Sequence, residues 1–281
     1  MSNFVYARTE TIMSIEDVSV AYPHPVTGEI VPVLKGVNAT VQNITRPDTT
    51  QGQIVALVGP SGVGKTTLLK VMSGMAAPDT GCVFVGEDLH PVGCGEIGVV
   101  GQKYPLLVHR TVLGNLVFAG MQAGLTRKEA KEAAAGYLEE FNLTEHQDKF
   151  PSQLSGGQRQ RVAIAQQLIC STTFIVFDEP FSGLDVVSER KARDLMVRIS
   201  NRAEHNTVFV VTHNVTSAIS IADTVWLMGR DFDEQNKPIP GSRIMRTIDL
   251  MELGICWRAN PLETTAAAGV IRDIKQQMER L

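Results

Sequence analysis

The sequence predicts an α/β fold, a mainly parallel sheet covered by helices on both faces. Short continuous apolar runs recur at Gln53–Val58, Ile97–Val100, Phe174–Phe177, Thr207–Val211 and Thr224–Met228. Such runs suit strands buried on both faces, and the helical segments between them suit parallel crossovers. The first run also passes at once through a glycine-rich turn into a helical run, Lys65–Met72.

The remaining elements follow from local patterns. Ile12–Val20 (IMSIEDVSV) is β-branched and partly alternating, which predicts a half-buried strand. Tyr22–Gly28 is turn-rich, and residues 43–52 (NITRPDTTQG) are polar with Pro and Gly, which predicts a surface loop. From about residue 103 to 170 the chain changes character to a mainly helical insert. Thr126–Glu129 (TRKE) forms a capping box. Behind it Ala134, Tyr137, Leu138 and Phe141 keep the spacing of an amphipathic helix. A second helix is expected over Gln158–Ile169, with Val162, Ala165 and Ile169 apolar. The tail, 262–281, suits a helix with Ile271, Ile274, Met278 and Leu281 on one side, read as packing on its own domain rather than on a partner. One domain over 1–281 is expected. Its core lobe spans about 10–102 and 171–248, its helical subdomain about 103–170, and its tail about 249–281.

Composition excludes several classes of function. Lys plus Arg is 26 and Asp plus Glu is 30, a net charge of -4. Gripping nucleic acid needs clustered cations, so no nucleic-acid partner is expected, while a small anion needs only one local positive site. With 281 residues, 43% hydrophobic and 20% charged, the chain is an ordinary globular one with enough length to bury a core. Cys82, Cys94, Cys170 and Cys256 form no C-x-x-C pair, which argues for free thiols in a reducing compartment over a disulfide framework or a zinc site. No apolar run reaches the roughly 18–20 residues that span a bilayer, and MSNFVYARTE has no apolar signal core. The expectation is a cytoplasmic chain that leaves any membrane spanning to another.

Two motifs carry chemistry. Gly59-Pro-Ser-Gly-Val-Gly-Lys-Thr66 matches G-x-x-x-x-G-K-[ST] between a strand and a helix, the signature of a P-loop NTPase core. Glycines let the backbone N–H groups wrap a polyphosphate at the positive helix end. Lys65 would reach the β- and γ-phosphates, and the Thr66 hydroxyl would ligate Mg²⁺. Phe174-Ile-Val-Phe-Asp-Glu179 is an apolar strand ending in two acids, at the carboxyl end where open α/β sheets bind ligands. Asp178 would hold Mg²⁺, and Glu179 would polarise the attacking water as general base.

Leu154-Ser-Gly-Gly-Gln158 precedes that strand. With it, from about residue 12 to 250, the chain resembles the ATP-binding cassette (ABC) ATPases, the motifs standing in that family's order. The resemblance implies the ABC ATPase fold, with a small antiparallel β portion and a helical subdomain. It implies that Tyr22 stacks on adenine and that Gly59, Pro60, Ser61, Gly62, Val63, Gly64, Lys65, Thr66 and Thr67 hold the nucleotide. Gln102 would reach Mg²⁺ and link the site to a transmembrane partner. Asp185 would cross a dimer interface, and His213 would contact the γ-phosphate. Two copies would pair head to tail, so that Ser155, Gly156, Gly157 and Gln158 of one meet ATP on the other. This sequence departs from the family at Ala165-Gln166-Gln167, where an Arg is common, and at Asn214, where an acid is common.

Asp178-Glu-Pro-Phe-Ser-Gly-Leu-Asp185, Thr207–Asn214 (TVFVVTHN) and Ala218–Asp223 (AISIAD) resemble importer cassettes for nitrate, sulfonate, taurine and related small anions, as does Pro240–Met245 (PGSRIM). The resemblance implies an ATPase subunit on the inner face of a membrane, working with permease subunits and with room for a substrate-binding protein. The alternatives are a lipid-trafficking or exporter cassette, and a soluble ABC ATPase acting in assembly.

Overall fold

The structure, a computed structural model, describes residues 5–46, 52–102, 104–170, 173–203, 205–258 and 260–280. Ten strands form one sheet: β1 (Ala7–Pro23), β2 (Ile30–Thr45), β3 (Gln53–Val58), β4 (Thr80–Val85), β5 (His90–Pro91), β6 (Ile97–Val100), β7 (Phe174–Asp178), β8 (Thr207–Thr212), β9 (Thr224–Phe232) and β10 (Pro238–Asp249). Their spatial order is β5-β4-β1-β2-β10-β9-β3-β8-β7-β6. The block β9-β3-β8-β7-β6 is parallel throughout. The β1–β2, β1–β4, β4–β5 and β9–β10 pairs are antiparallel.

Among the described residues seven α-helices accompany the sheet: α1 (Lys65–Met72), α2 (Val112–Gln122), α3 (Arg127–Glu140), α4 (Gly156–Cys170), α5 (Val186–Ser200), α6 (Val215–Ile219) and α7 (Thr265–Arg280). Because side chains alternate across a strand, the continuous apolar runs feed two cores. Ile54, Ala56, Val58, Ile175, Phe177, Val208 and Val210 face one core, which they share with residues of α2 to α7. Val55, Leu57, Phe174, Val176, Phe209, Val211 and Trp226 face the other, with α1 and the antiparallel strands.

The capping box at Thr126 forms as expected. The Glu129 N–H donates to the Thr126 hydroxyl at 3.3 Å, and the Thr126 N–H donates back to the Glu129 carboxylate at 2.8 Å. Ala134, Leu138 and Phe141 are buried on that face. Helix α7 lies on its own domain through buried Ala267 and Ile274, with Ile271 and Met278 half-buried against the same core; Leu281 lies outside the described residues. Helix α4 starts at Gly156, two residues before the expected Gln158.

The loop expected over 43–52 is a correction. Asn43, Ile44 and Thr45 belong to β2, and Asn43 and Ile44 are buried. The polar run hid a strand end because Asn43 can bond where it is buried: its amide donates to Glu10 at 3.0 Å. Residues 47–51 of that loop lie outside the described residues. All four cysteines are free thiols. Among the described residues no helix is long and apolar enough to cross a membrane.

Candidate nucleotide site

Four neighbouring parallel strands deliver their carboxyl ends to one edge of the sheet. Val58 of β3 lies opposite Thr212 of β8, Asp178 of β7 opposite Val211, and Val100 of β6 opposite Phe177. The segments leaving those ends are Gly59–Gly64, His213, Glu179 and Gln102, so register alone gathers the predicted phosphate loop, switch histidine, acid pair and glutamine.

The phosphate loop is shaped by close packing. A Cβ on Gly59 would lie 2.7 Å from the Met228 carbonyl, so no larger residue fits there. Gly64 adopts φ 95°, a left-handed conformation that costs glycine little, and it starts α1. Thr66 is exposed on the first turn of α1 and Thr67 is half-buried. From β9, Arg230 donates to the Gly62 carbonyl at 3.2 Å.

Lys65 is buried, and its ammonium donates to the Gly59 carbonyl at 2.8 Å and the Pro60 carbonyl at 3.0 Å. Burial pushes its pKa down, while the carboxylates of Glu179 and Asp178 push it back up. Burial likewise pushes Asp178 above the usual carboxylate range, helped by Glu179 and opposed by Lys65. The three charges therefore share one small region, and each sets the cost of the others.

Glu179 sits at φ 49°, a strained conformation for a non-glycine residue. Its N–H donates to the Val211 carbonyl at 2.8 Å, which ties the turn to β8. The Thr212 hydroxyl donates to its carboxylate at 3.1 Å, and His213 Nδ1 lies 2.9 Å from both carboxylate oxygens. Asn214, the departure noted beside the histidine, caps α6 by accepting from the Ser217 N–H. Gln102 is exposed, and its amide nitrogen donates to the Ser182 hydroxyl at 3.4 Å. Ser182 and Thr212 were not among the residues the sequence singled out; only tertiary pairing across strands reveals them.

Thr66, Asp178 and Gln102 offer hydroxyl, carboxylate and amide oxygens. That donor set fits Mg²⁺, which keeps several waters and leans on substrate phosphates rather than on a protein cage. No group of three or more His, Cys, Asp or Glu side chains suited to a metal occurs among the described residues.

The other predicted residues lie apart from this cluster. Tyr22 is exposed near the end of β1, opposite Val31 of β2. Val33, two residues on, comes within 3.1 Å of where a Cβ on Gly64 would stand, so this hairpin end flanks the phosphate loop. Ser155 and Gln158 cap α4 reciprocally: the Ser155 N–H donates to the Gln158 amide oxygen at 2.8 Å, and the Gln158 N–H donates to the Ser155 hydroxyl at 3.3 Å. The Gln158 side-chain nitrogen meets His146 at 2.8 Å, so this amide is committed to shaping the helix start. Nothing fills the space over Gly156 and Gly157. Asp185 caps α5, and the Ser188 hydroxyl and N–H hold its carboxyl below the usual carboxylate range. Among the described residues, no hydrogen bond joins Ser155–Gln158 or Asp185 to the phosphate loop.

Known proteins share this arrangement. The family model described as "ABC transporter" matches residues 43–182. The sulfate/thiosulfate import ATP-binding protein CysA 2 of Rhizobium meliloti is 35% identical over 232 residues, covering 80% of this chain and 62% of that one. Across the curated relatives it matches, the chain spans 56–66% of their length. Among solved structures, cbiO1 from Clostridium perfringens, part of the ABC transporter complex cbiONQ, shares the fold, with a TM-score of 0.68, 23% identity and 97% of each chain covered. A bacterial ABC transporter cassette solved as a dimer aligns with a TM-score of 0.66 at 25% identity, covering 85% of this chain and 99% of that one. Strand-end chemistry, family match and fold agree, and the chain belongs to the family of ABC transporter ATP-binding domains.

Proposed function

We propose that this chain binds and hydrolyses ATP to power a membrane ABC transporter, and that the transporter imports a small anionic solute. The observation that carries the reading is the hydrogen-bonded Glu179–His213 pair at the strand ends that also deliver Lys65 and Asp178. The name of the Rhizobium meliloti relative, a sulfate/thiosulfate import ATP-binding protein, supports the importer reading.

In this reading ATP phosphates lie on the N–H groups opening α1. The Lys65 ammonium exchanges two neutral carbonyl acceptors for phosphate oxygens, a stronger charge-assisted contact. Tyr22 supplies a face for adenine from the neighbouring hairpin. Thr66, Asp178 and Gln102 would hold Mg²⁺, which would neutralise part of the phosphate charge. Water attacks the γ-phosphorus, its proton passes to Glu179, and ADP leaves. His213 orients the Glu179 carboxylate and offers its other ring face to the γ-phosphate.

The exposed glycines of the α4 start make a second anion site with no nucleotide on its own chain. A second copy, placed head to tail, would bring its ATP there, and the dimeric cassette of similar fold supports that assembly. Asp185 would cross between the copies. The helical segment 103–170, beside Gln102, would receive the permease at the inner face of the membrane.

The test is to purify a tagged Glu179→Gln chain from its native cells in mild detergent with MgATP and to identify its partners by mass spectrometry. A multi-span permease with it is the expected result, and a substrate-binding protein alongside would support import. A soluble partner alone would overturn the transport reading and favour an assembly role.

A further inference from the structure

A second cleft, of about 610 Å³, opens away from the nucleotide site, between α5, the end of α6 and the turn that precedes α7. Arg190, Arg193 and Arg198 line it from α5, and Arg258 lines it from the turn. Against these four guanidiniums the lining sets only two carboxylates, Asp194 and Glu263. The lining therefore carries more positive than negative groups, with Glu189 behind it offsetting part of the charge of Arg193, in a chain whose net charge is -4.

The guanidiniums are only lightly engaged. Among the described residues Arg190 and Arg198 make no ion pair. Arg258 is exposed and donates through Nε to the Gly254 carbonyl at 2.5 Å, which anchors its stem. Arg193 is half-buried. One of its terminal nitrogens donates to the Ser220 hydroxyl at 3.0 Å, while its buried Nε has no hydrogen-bond partner. Glu189 stands 4.0 Å from that Nε, and its oxygen accepts from the Ser217 hydroxyl at 2.5 Å. That buried Nε faces the Glu189 charge, and Arg193 lines the cleft with the other atoms of its side chain.

We propose that this cleft is a binding site for a free tetrahedral dianion of the sulfate or phosphate class, held chiefly by Arg193 and Arg258. Guanidinium forks suit such oxyanions, because two parallel N–H donors match two oxygens. The positive surplus of the lining favours an anion, and the forked donors favour a tetrahedral oxyanion over a spherical chloride. The bound ion would tie α5, which Asp185 caps, to the segment leading into α7. The inference does not depend on the reading of the nucleotide site.

The test uses the full chain in two measurements. Crystals soaked in selenate, a sulfate isostere with anomalous scattering, should show a peak in the cleft between Arg193 and Arg258. A peak only at the phosphate loop would overturn the proposal. Calorimetric titration with sulfate is then compared among wild type, R193Q and R258Q. Each variant should weaken the cleft binding at least tenfold while leaving ATP binding unchanged. R258Q lies on an exposed turn, so it remains informative even if R193Q loosens α5. Equal affinity in wild type and R258Q would overturn the site. So would loss of sulfate binding in equimolar chloride, since that is the mark of a diffuse field. Tighter binding of glycerol 2-phosphate than of inorganic phosphate would overturn the assignment to a free ion.

Discussion

His213 Nδ1 stands 2.9 Å from both carboxylate oxygens of Glu179. The two residues are 34 positions apart and are joined only because β7 and β8 run side by side. The Glu179 turn is strained at φ 49° and pinned by the Val211 carbonyl and the Thr212 hydroxyl, so the carboxylate is held rather than free. A carboxylate restrained in this way would need little reorganisation to serve in the proposed role of general base.

Replacing Glu179 with Gln keeps the shape and the Thr212 contact but removes the proton acceptor. Phosphate release should fall about 10²- to 10⁴-fold, with ATP affinity retained. Full turnover in E179Q, measured by phosphate release, would sink the role given to Glu179.

Lys65→Met should leave the fold in place and weaken ATP binding roughly ten- to a hundredfold, the loss of one hydrogen bond to a charged group of about 1.5–3 kcal/mol. Equilibrium titration with a fluorescent ATP analogue checks it. Unchanged affinity would mean that the ammonium stays on the Gly59 and Pro60 carbonyls in the bound state.

Gly157→Val separates folding from assembly. Nothing lies over Gly157, so stability should shift by no more than about 0.5 kcal/mol. The added side chain would cover the backbone expected to meet the partner's ATP. Sedimentation with MgATP, in the E179Q background, should then show monomers where Gly157 gives dimers.

Asp223 supplies a pH dependence of stability. It is buried behind β3, where its carboxylate accepts from the Ile54 N–H at 2.7 Å. Burial raises its pKa from 3.8 to about 7, against the lowering effect of the Ile54 bond. The folded chain therefore keeps a proton that the unfolded chain releases. The stability this proton contributes is fully present below about pH 4 and is lost as pH rises towards about 7. Denaturant melts at about pH 5.5 and about pH 8 should show a fall that is smaller in Asp223→Asn by on the order of 2 kcal/mol. An identical fall in both chains would remove Asp223 as its source.

Much of the site was legible because its motifs are local. A strand, a glycine turn and a helix in succession can make only one kind of anion cradle, and Gln53–Val58 and Lys65–Met72 formed as read. The 43–52 reading missed because loop composition is a surface rule, and the buried Asn43 escapes it by donating to the exposed Glu10 carboxylate. Ser182 and Thr212 were invisible for a related reason. A hydroxyl that bonds across strands has no marker in its own neighbourhood. The same holds for Gln158, whose amide is committed to Ser155 and His146.

The sequence by itself determined the central strands, the helix after the glycine turn and the candidate residues of the site, because each depends on backbone preference and burial within a few residues. Only the tertiary structure decided which of these meet. Parallel register put Glu179 against His213 and near Lys65, while it left Ser155–Gln158 apart from the phosphate loop. It also brought arginines of α5 and of a distant turn around one cleft. Contacts between residues far apart in the chain are set by how whole elements pack, and that information belongs to no single segment.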